Sequence, residues 1–363
     1  HTTTSYYATK AMIAKVSPYG ELVWSKAMNN ASNYDGFLLY AGAMYNDTTI
    51  VVSGNRNCGC NPYSSPSYFY KANLTFINTN GEILKSVEIQ TPVDEYVTPN
   101  NLLVLPSGDV IFSGVLRKET TSGYDSESQI YVASISYNGT INWDFTYGSP
   151  DKDDNKPIAI LGDDGNILIS SIISASSSGD SLLLTAISNT GKIKYQFQYD
   201  FNALDFNRNR FLGYVDGKLL ICLTETSTHT IFAYVSSDFS ISSAKQISNT
   251  AYTAVAPSLD GEFFCLNVDG SDTYIEKLDK NLTNHIVRNV SAGTYLYYIT
   301  ATSDSSAVFS GETYFNYTES LRYPETYVLK LDKNISASNC VPTEASMQNT
   351  NTIVDITTKS TFT

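Results

Sequence analysis

The 363-residue chain carries a net charge of −13 with only 16% charged residues, and its polar surface draws instead on Tyr, Ser, Thr and Asn. That acidic balance argues against a nucleic-acid surface, and no apolar run approaches the roughly 20 residues of a membrane span. The chain opens on His1 rather than Met, so it reads as a processed or a trimmed product. Its Tyr, Ser, Thr and Asn usage and its sequons lead to the expectation of a secreted protein, extracellular or at the cell surface.

After an N-terminal extension over residues 1–9, one short hairpin pattern recurs seven times. Its core is a β-branched residue or Leu, then Ser, Asn or Asp, a polar tight turn and a second alternating strand. The copies centre on Val16, Ile77, Ile135, Ile187, Val235, Leu278 and Leu331, spaced 43–61 residues apart. Spacing of this order is what propeller blades require. Gly20, Gly81, Gly139 and Gly191 fall where the turn needs a positive φ. The last three copies carry Phe239, Leu282 and Ile335 instead, and the preceding Asp238, Asn281 and Asn334 are expected to take the left-handed conformation.

Between these outer hairpins lies a second pattern of three apolar residues closed by a small one. It is seen in Ile50–Ser53, Val110–Ser113, Ile167–Ser170, Leu219–Cys222 and Ala307–Ser310, with Phe263–Leu266 a looser copy. Continuous apolar runs this short suit strands covered on both faces. Helical periodicity is sustained nowhere, so the expected class is all-β. The reading is a single seven-bladed β-propeller domain over residues 1–363. Residues 341–363 serve as a closing segment or tail. The stretch Ala345–Val354 matches Gly42–Val51 in order and spacing. The C-terminal segment is therefore expected to supply the inner strands that pair with the N-terminal outer hairpin, closing the ring and removing its open edges.

The unit with Gly in the turn and Trp on the following strand, seen at Gly20 and Trp24 and at Gly139 and Trp143, resembles the β-propeller repeats of quinoprotein-like domains. The stretch Tyr147–Asp154, followed by Ile158–Ile160 and Asp164–Ile169, resembles the repeats of large cell-surface β-propeller proteins. The resemblance implies a scaffold shared by structural, adhesive and enzymatic proteins. Quinoprotein enzymes carry a metal-bound quinone and a pair of adjacent cysteines. Here the cysteines form Cys58-Gly59-Cys60, so that activity does not carry over.

Chemistry-bearing residues are few. N-linked glycans are expected at the sequons of Asn30, Asn46, Asn73, Asn138, Asn281, Asn289, Asn316 and Asn334, read as turns, loops or outward strand positions. Of five cysteines, Cys222 and Cys265 lie in apolar inner strands and read as buried thiols. A disulfide from Cys340 to Cys58 or Cys60 would staple the closed ring, contributing about 2–4 kcal/mol, and the leftover thiol is available to another chain. Asp151, Asp153, Asp154 and Asn155 offer oxygen ligands to calcium, though the Gly and Glu of an EF-hand loop are missing and a solvated acidic turn is the plainer reading. No other cofactor and no catalytic constellation is read; His1, His229 and His285 show no pairing.

The functional expectation is a non-catalytic extracellular structural or adhesive glycoprotein, such as a subunit of a surface fibre. Self-association is expected through residues 1–7 adding a strand to a neighbour. The alternative is a carbohydrate-binding or carbohydrate-active propeller, lectin-like or a glycoside hydrolase, with surface carbohydrate as its partner.

Overall fold

The computed structural model describes residues 11–17, 21–28, 37–58, 69–90, 95–120, 123–148, 154–173, 180–200, 206–215, 217–225, 229–248, 250–269, 272–282, 285–290, 294–314, 324–334, 343–344, 351–353 and 357–360. All of its regular structure is β. β1 (Ala11–Val16) and β2 (Leu22–Met28) form a two-stranded hairpin. Antiparallel four-strand meanders follow. The first is β3 (Phe37–Asn46), β4 (Thr49–Cys58), β5 (Phe69–Asn78) and β6 (Ile83–Glu88). The second is β7 (Glu95–Val104), β8 (Val110–Thr120), β9 (Gly123–Ile135) and β10 (Ile141–Tyr147). The third is β11 (Asp154–Leu161), β12 (Ile167–Ile173), β13 (Ser181–Ile187) and β14 (Ile193–Asp200).

The fourth meander is β15 (Phe206–Val215), β16 (Lys218–Glu225), β17 (His229–Val235) and β18 (Ile241–Ser248). The fifth is β19 (Tyr252–Pro257), β20 (Phe263–Asp269), β21 (Asp272–Leu278) and β22 (His285–Val290). A three-stranded sheet of β23 (Thr294–Ala301), β24 (Ala307–Tyr314) and β25 (Pro324–Leu331) ends the series. Successive meanders of this kind are propeller blades, and the protein is an all-β β-propeller.

Two expectations are corrected. Among the described residues six sheets have three or more strands, which gives six blades rather than seven. Nor does the tail pair with the N-terminal hairpin among the described residues. Its short strands β26 (Thr343–Glu344), β27 (Asn351–Ile353) and β28 (Thr357–Ser360) each add a fifth strand, to β22, β18 and β14 respectively. In the first two cases the pairing is antiparallel, with Arg288 opposite Glu344 and Lys245 opposite Ile353. The reason lies in edge chemistry. An outermost strand presents a row of unpaired N–H and C=O groups, and any short extended segment satisfies them. A likeness of turn and β-branched residues between tail and first blade does not select one edge over another.

The chain divides into two compact units, residues 1–198 with 359–363 and residues 199–358. In the first unit, one core gathers Val51, Leu74, Phe76, Val110, Phe112 and Ile135, and a second gathers Ile111, Ile130, Val132, Ile167, Ile169 and Ile187. In the second unit, Leu220, Phe232, Tyr252 and Phe263 pack together, as do Phe264, Leu266, Leu296, Phe309 and Leu331. Middle strands are covered on both faces, as their apolar runs predict: Ile167–Ile172 and Ser181–Ile187 are buried throughout. The small residues closing the runs, Ser53, Ser113, Ser170 and Cys222, are wholly buried, which keeps the sheets close.

The outer turns share one hydrogen-bond plan. In Asn78–Glu82, the Asn78 N–H donates to the Glu82 carbonyl at 3.0 Å, the Gly81 N–H to the Asn78 carbonyl at 2.9 Å, and Asn78 Oδ1 accepts the Glu82 N–H at 2.9 Å. Ser136–Thr140 and Ser188–Lys192 repeat it, with the serine hydroxyl in place of the Asn side chain. This is the type I turn with a left-handed fourth residue that joins strands through a bulge. In the later copies Phe239 (φ 63°) and Leu282 (φ 57°) themselves occupy that position. The expectation that Asp238 and Asn281 would do so is therefore wrong. The bulge fixes which residue turns left-handed, and Asp238 serves instead as an acceptor for the Ser240 N–H at 3.1 Å. Ile335 lies outside the described residues.

The outer strands β2, β6, β10, β14 and β18 also reach the next blade's turn. Trp24 Nε1 donates to the Thr79 carbonyl at 2.9 Å, Lys85 Nζ to Asn138 at 3.2 Å and Trp143 Nε1 to Asn189 at 2.9 Å. Tyr199 Oη donates to the Phe239 carbonyl at 2.7 Å and Lys245 Nζ to that of Asn281 at 2.7 Å. In the fifth blade the reach comes instead from Lys277 on the third strand, β21, whose Nζ donates to the Lys333 carbonyl at 2.5 Å. Trp24, Lys85 and Trp143 stand at the same third position of their strands, so lysine replaces the indole N–H without breaking the plan.

Candidate functional site

The latch of Lys245 borders a cleft of about 660 Å³ in the second unit. β18 supplies Ser242, Ser243 and Lys245, β17 supplies Tyr234, β16 supplies its first residue, Lys218, and the turn after β21 supplies Lys280. Lys245 Nζ is held by the carbonyls of Asn281 at 2.7 Å and Leu282 at 3.2 Å. The Ser242 hydroxyl donates to the Tyr234 carbonyl at 3.0 Å. Lys218 and Lys280 are exposed, as are both serines, and among the described residues no carboxylate lines the cleft. The arrangement offers ammonium donors, hydroxyl acceptors and a phenol ring at one place. None of this was legible beforehand. Only the regular appearance of lysine on outer strands hinted that such side chains reach across blades.

Beside it the second unit buries a polar cluster. Glu276 is wholly buried and accepts the Tyr252 hydroxyl at 2.7 Å. Burial first, and then the Glu276 charge, pushes the Tyr252 phenol well above its ordinary range. Cys222 and Cys265 are buried free thiols, as expected, and burial raises both, Arg210 partly offsetting the shift at Cys222. Neither thiol is poised as a nucleophile.

The residues singled out from the sequence scatter. Asn46, Asn138, Asn281 and Asn334 are exposed at hairpin turns. Asn73 is not: it is 8% exposed in the middle strand β5, with its Oδ1 enclosed, so the expectation of an outward position fails there. The blade packs both faces of β5, and an alternating polar residue in a middle strand does not mark solvent. Asn289 is half-buried on β22. Asn30 and Asn316 lie outside the described residues, as do Cys60, Cys340, Asp151, Asp153 and residues 1–10. Cys58 ends β4, and Asp154 and Asn155 begin β11, opposite Ile173 and Ile172. His229 Nδ1 lies 2.5 Å from Glu225 Oε2. Among the described residues no group of three or more His, Cys, Asp or Glu is gathered as a metal site.

No protein-family model and no curated protein matches the chain. Among solved structures, it is similar to a protein of unknown function from Dyadobacter fermentans, with a TM-score of 0.50 and 11% identity over 80% of this chain and 93% of that one. It also aligns with the Dos1 propeller at a TM-score of 0.44, with 11% identity over 82% and 78% of the two chains. A GH43 β-1,3-galactosidase aligns at 0.43, with 9% identity over 89% and 60%. At such identities the first likeness supports the fold and nothing finer.

Proposed function

We propose that the chain is a non-catalytic, extracellular structural or adhesive glycoprotein that assembles with other polypeptides by strand addition. One observation carries this reading. The hairpin β1–β2 latches onto the next blade through Trp24 as a full blade's outer hairpin does, yet among the described residues it has only two strands. On this reading it is a half-blade, an outer hairpin beside the six blades whose inner strands come from another chain. Isolated two-stranded hairpins are marginal in water. This one also exposes Met12, Leu22 and Val23 at 51%, 64% and 55%. Completion by strands of another copy would close the ring in trans and link subunits. The tail strands on β14, β18 and β22 support the reading, since they show outer edges of this protein accepting short segments.

Light scattering on native material, with intact-mass analysis and imaging, tests it. The expected result is an oligomer or filament carrying N-glycans that dissociates in Leu22→Lys/Val23→Lys. A discrete, unglycosylated monomer, or one that hydrolyses a glycan, overturns it. The cleft favours a second reading, a carbohydrate-binding propeller, because it combines a tyrosine with hydroxyl and ammonium groups.

A further inference from the structure

We infer that the cleft beside β18 is a binding site for an acidic saccharide, with Lys218 and Lys280 holding its sulfate or carboxylate groups. The inference rests on the carbohydrate reading of the cleft and is independent of assembly through the half-blade.

Charge is the first argument. The chain has 36 Asp and Glu against 23 Lys and Arg, yet among the described residues this cleft is lined by three lysines and by no acid. At physiological ionic strength fields decay over about 8 Å, so a ligand inside responds chiefly to these lysines, and the carboxylate of the neighbouring Asp279 is engaged by the Asn281 N–H at 3.1 Å. A concave wall of one sign also concentrates the opposite charge. The second argument is division of labour. Lys245 is committed to the carbonyls of Asn281 and Leu282, which fixes the cleft's wall. Lys218, at the start of β16, and Lys280, in the turn after β21, both stand exposed.

The remaining lining chooses the ligand class. The Ser242 hydroxyl spends its hydrogen on the Tyr234 carbonyl, which leaves its oxygen lone pairs facing a donor such as a sugar hydroxyl. Ser243 adds a second exposed hydroxyl, and the Tyr234 ring offers an apolar surface to a sugar's C–H face. The volume falls in the range of small-ligand sites. A single-stranded nucleic acid would instead need a basic track with successive stacking rings.

Fluorescence polarisation with labelled dextran sulfate oligosaccharide, unsulfated dextran of equal length and a single-stranded oligonucleotide of equal charge tests this on the whole protein. The sulfated probe is expected to bind, to weaken as salt rises, and to lose about tenfold in affinity for each of Lys218→Gln and Lys280→Gln. Lys218→Arg/Lys280→Arg should keep binding, and unchanged thermal unfolding of all variants shows that the fold is intact. Absence of binding, equal binding by the glutamine variants, or equal binding of the oligonucleotide overturns the inference. Equal binding of unsulfated dextran overturns the acidic assignment while leaving the carbohydrate reading in place.

Discussion

The outer turns of the first unit and those of the second reach one conformation by different chemistry. At Gly81 and Gly191 the left-handed residue is glycine, with φ of 81° and 82°. A Cβ there would come within 2.9 Å of the Trp24 ring and 2.6 Å of Trp143. Glycine is thus required twice, for the dihedral and for the neighbouring blade's indole. At Phe239 and Leu282 no indole approaches, and the latch comes from the Tyr199 hydroxyl or the Lys245 ammonium, which bond to backbone carbonyls. A side chain then has room, and left-handed strain, on the order of 1–2 kcal/mol, is the remaining cost. The contrast teaches that at Gly81 and Gly191 the glycine is matched to the indole of the preceding blade rather than to its own strand, while at Gly139 a Cβ would meet Val87 at 2.6 Å.

The largest expected effect comes from breaking that pairing. Gly191→Ala should destabilise the protein by about 2–4 kcal/mol, from left-handed strain and overpacking together, read as a shift in urea midpoint. In a Trp143→Ala background the cost should fall to about 1–2 kcal/mol, because only the dihedral penalty remains. Equal costs in the two backgrounds would break the comparison.

Substitutions in the second unit sharpen it. Leu282 is 3% exposed within a core cluster, so Leu282→Gly should cost about 2–3 kcal/mol despite relieving its strain. Phe239 is only half-buried, and its latch is made by its carbonyl. Phe239→Gly should therefore stay within about 1 kcal/mol of the parent by the same denaturation assay.

The smallest effect is electrostatic. The side chains of Ser236 and Ser240 donate to the exposed Asp238 carboxylate and lower its pKa from 3.8 to about 2. A carboxylate depressed on folding stabilises the native state above its unfolded pKa and loses that contribution as pH falls through the folded one. The gap in stability between the parent protein and Asp238→Asn should accordingly shrink between pH 4 and pH 2, as followed by acid unfolding. Solvent screening keeps the gap small.

Sequence alone determined the all-β class, the hairpin repeat, the doubly covered middle strands and the burial of Cys222 and Cys265. These follow from local pattern: a run such as Ile167–Ile172 must be buried wherever it sits, and Ser136–Thr140 carries its own turn chemistry. Only tertiary structure decided that Phe239 and Leu282 rather than Asp238 and Asn281 turn left-handed, that Asn73 is enclosed, and that Lys218, Lys245 and Lys280 share a cleft. It also decided that the described tail strands add to three outer edges and not to the N-terminal hairpin. The physical reason is common to all four: each depends on what a neighbouring strand or blade brings alongside. Backbone edges and long flexible ammonium groups accept many partners, so the residues themselves do not name the one they meet.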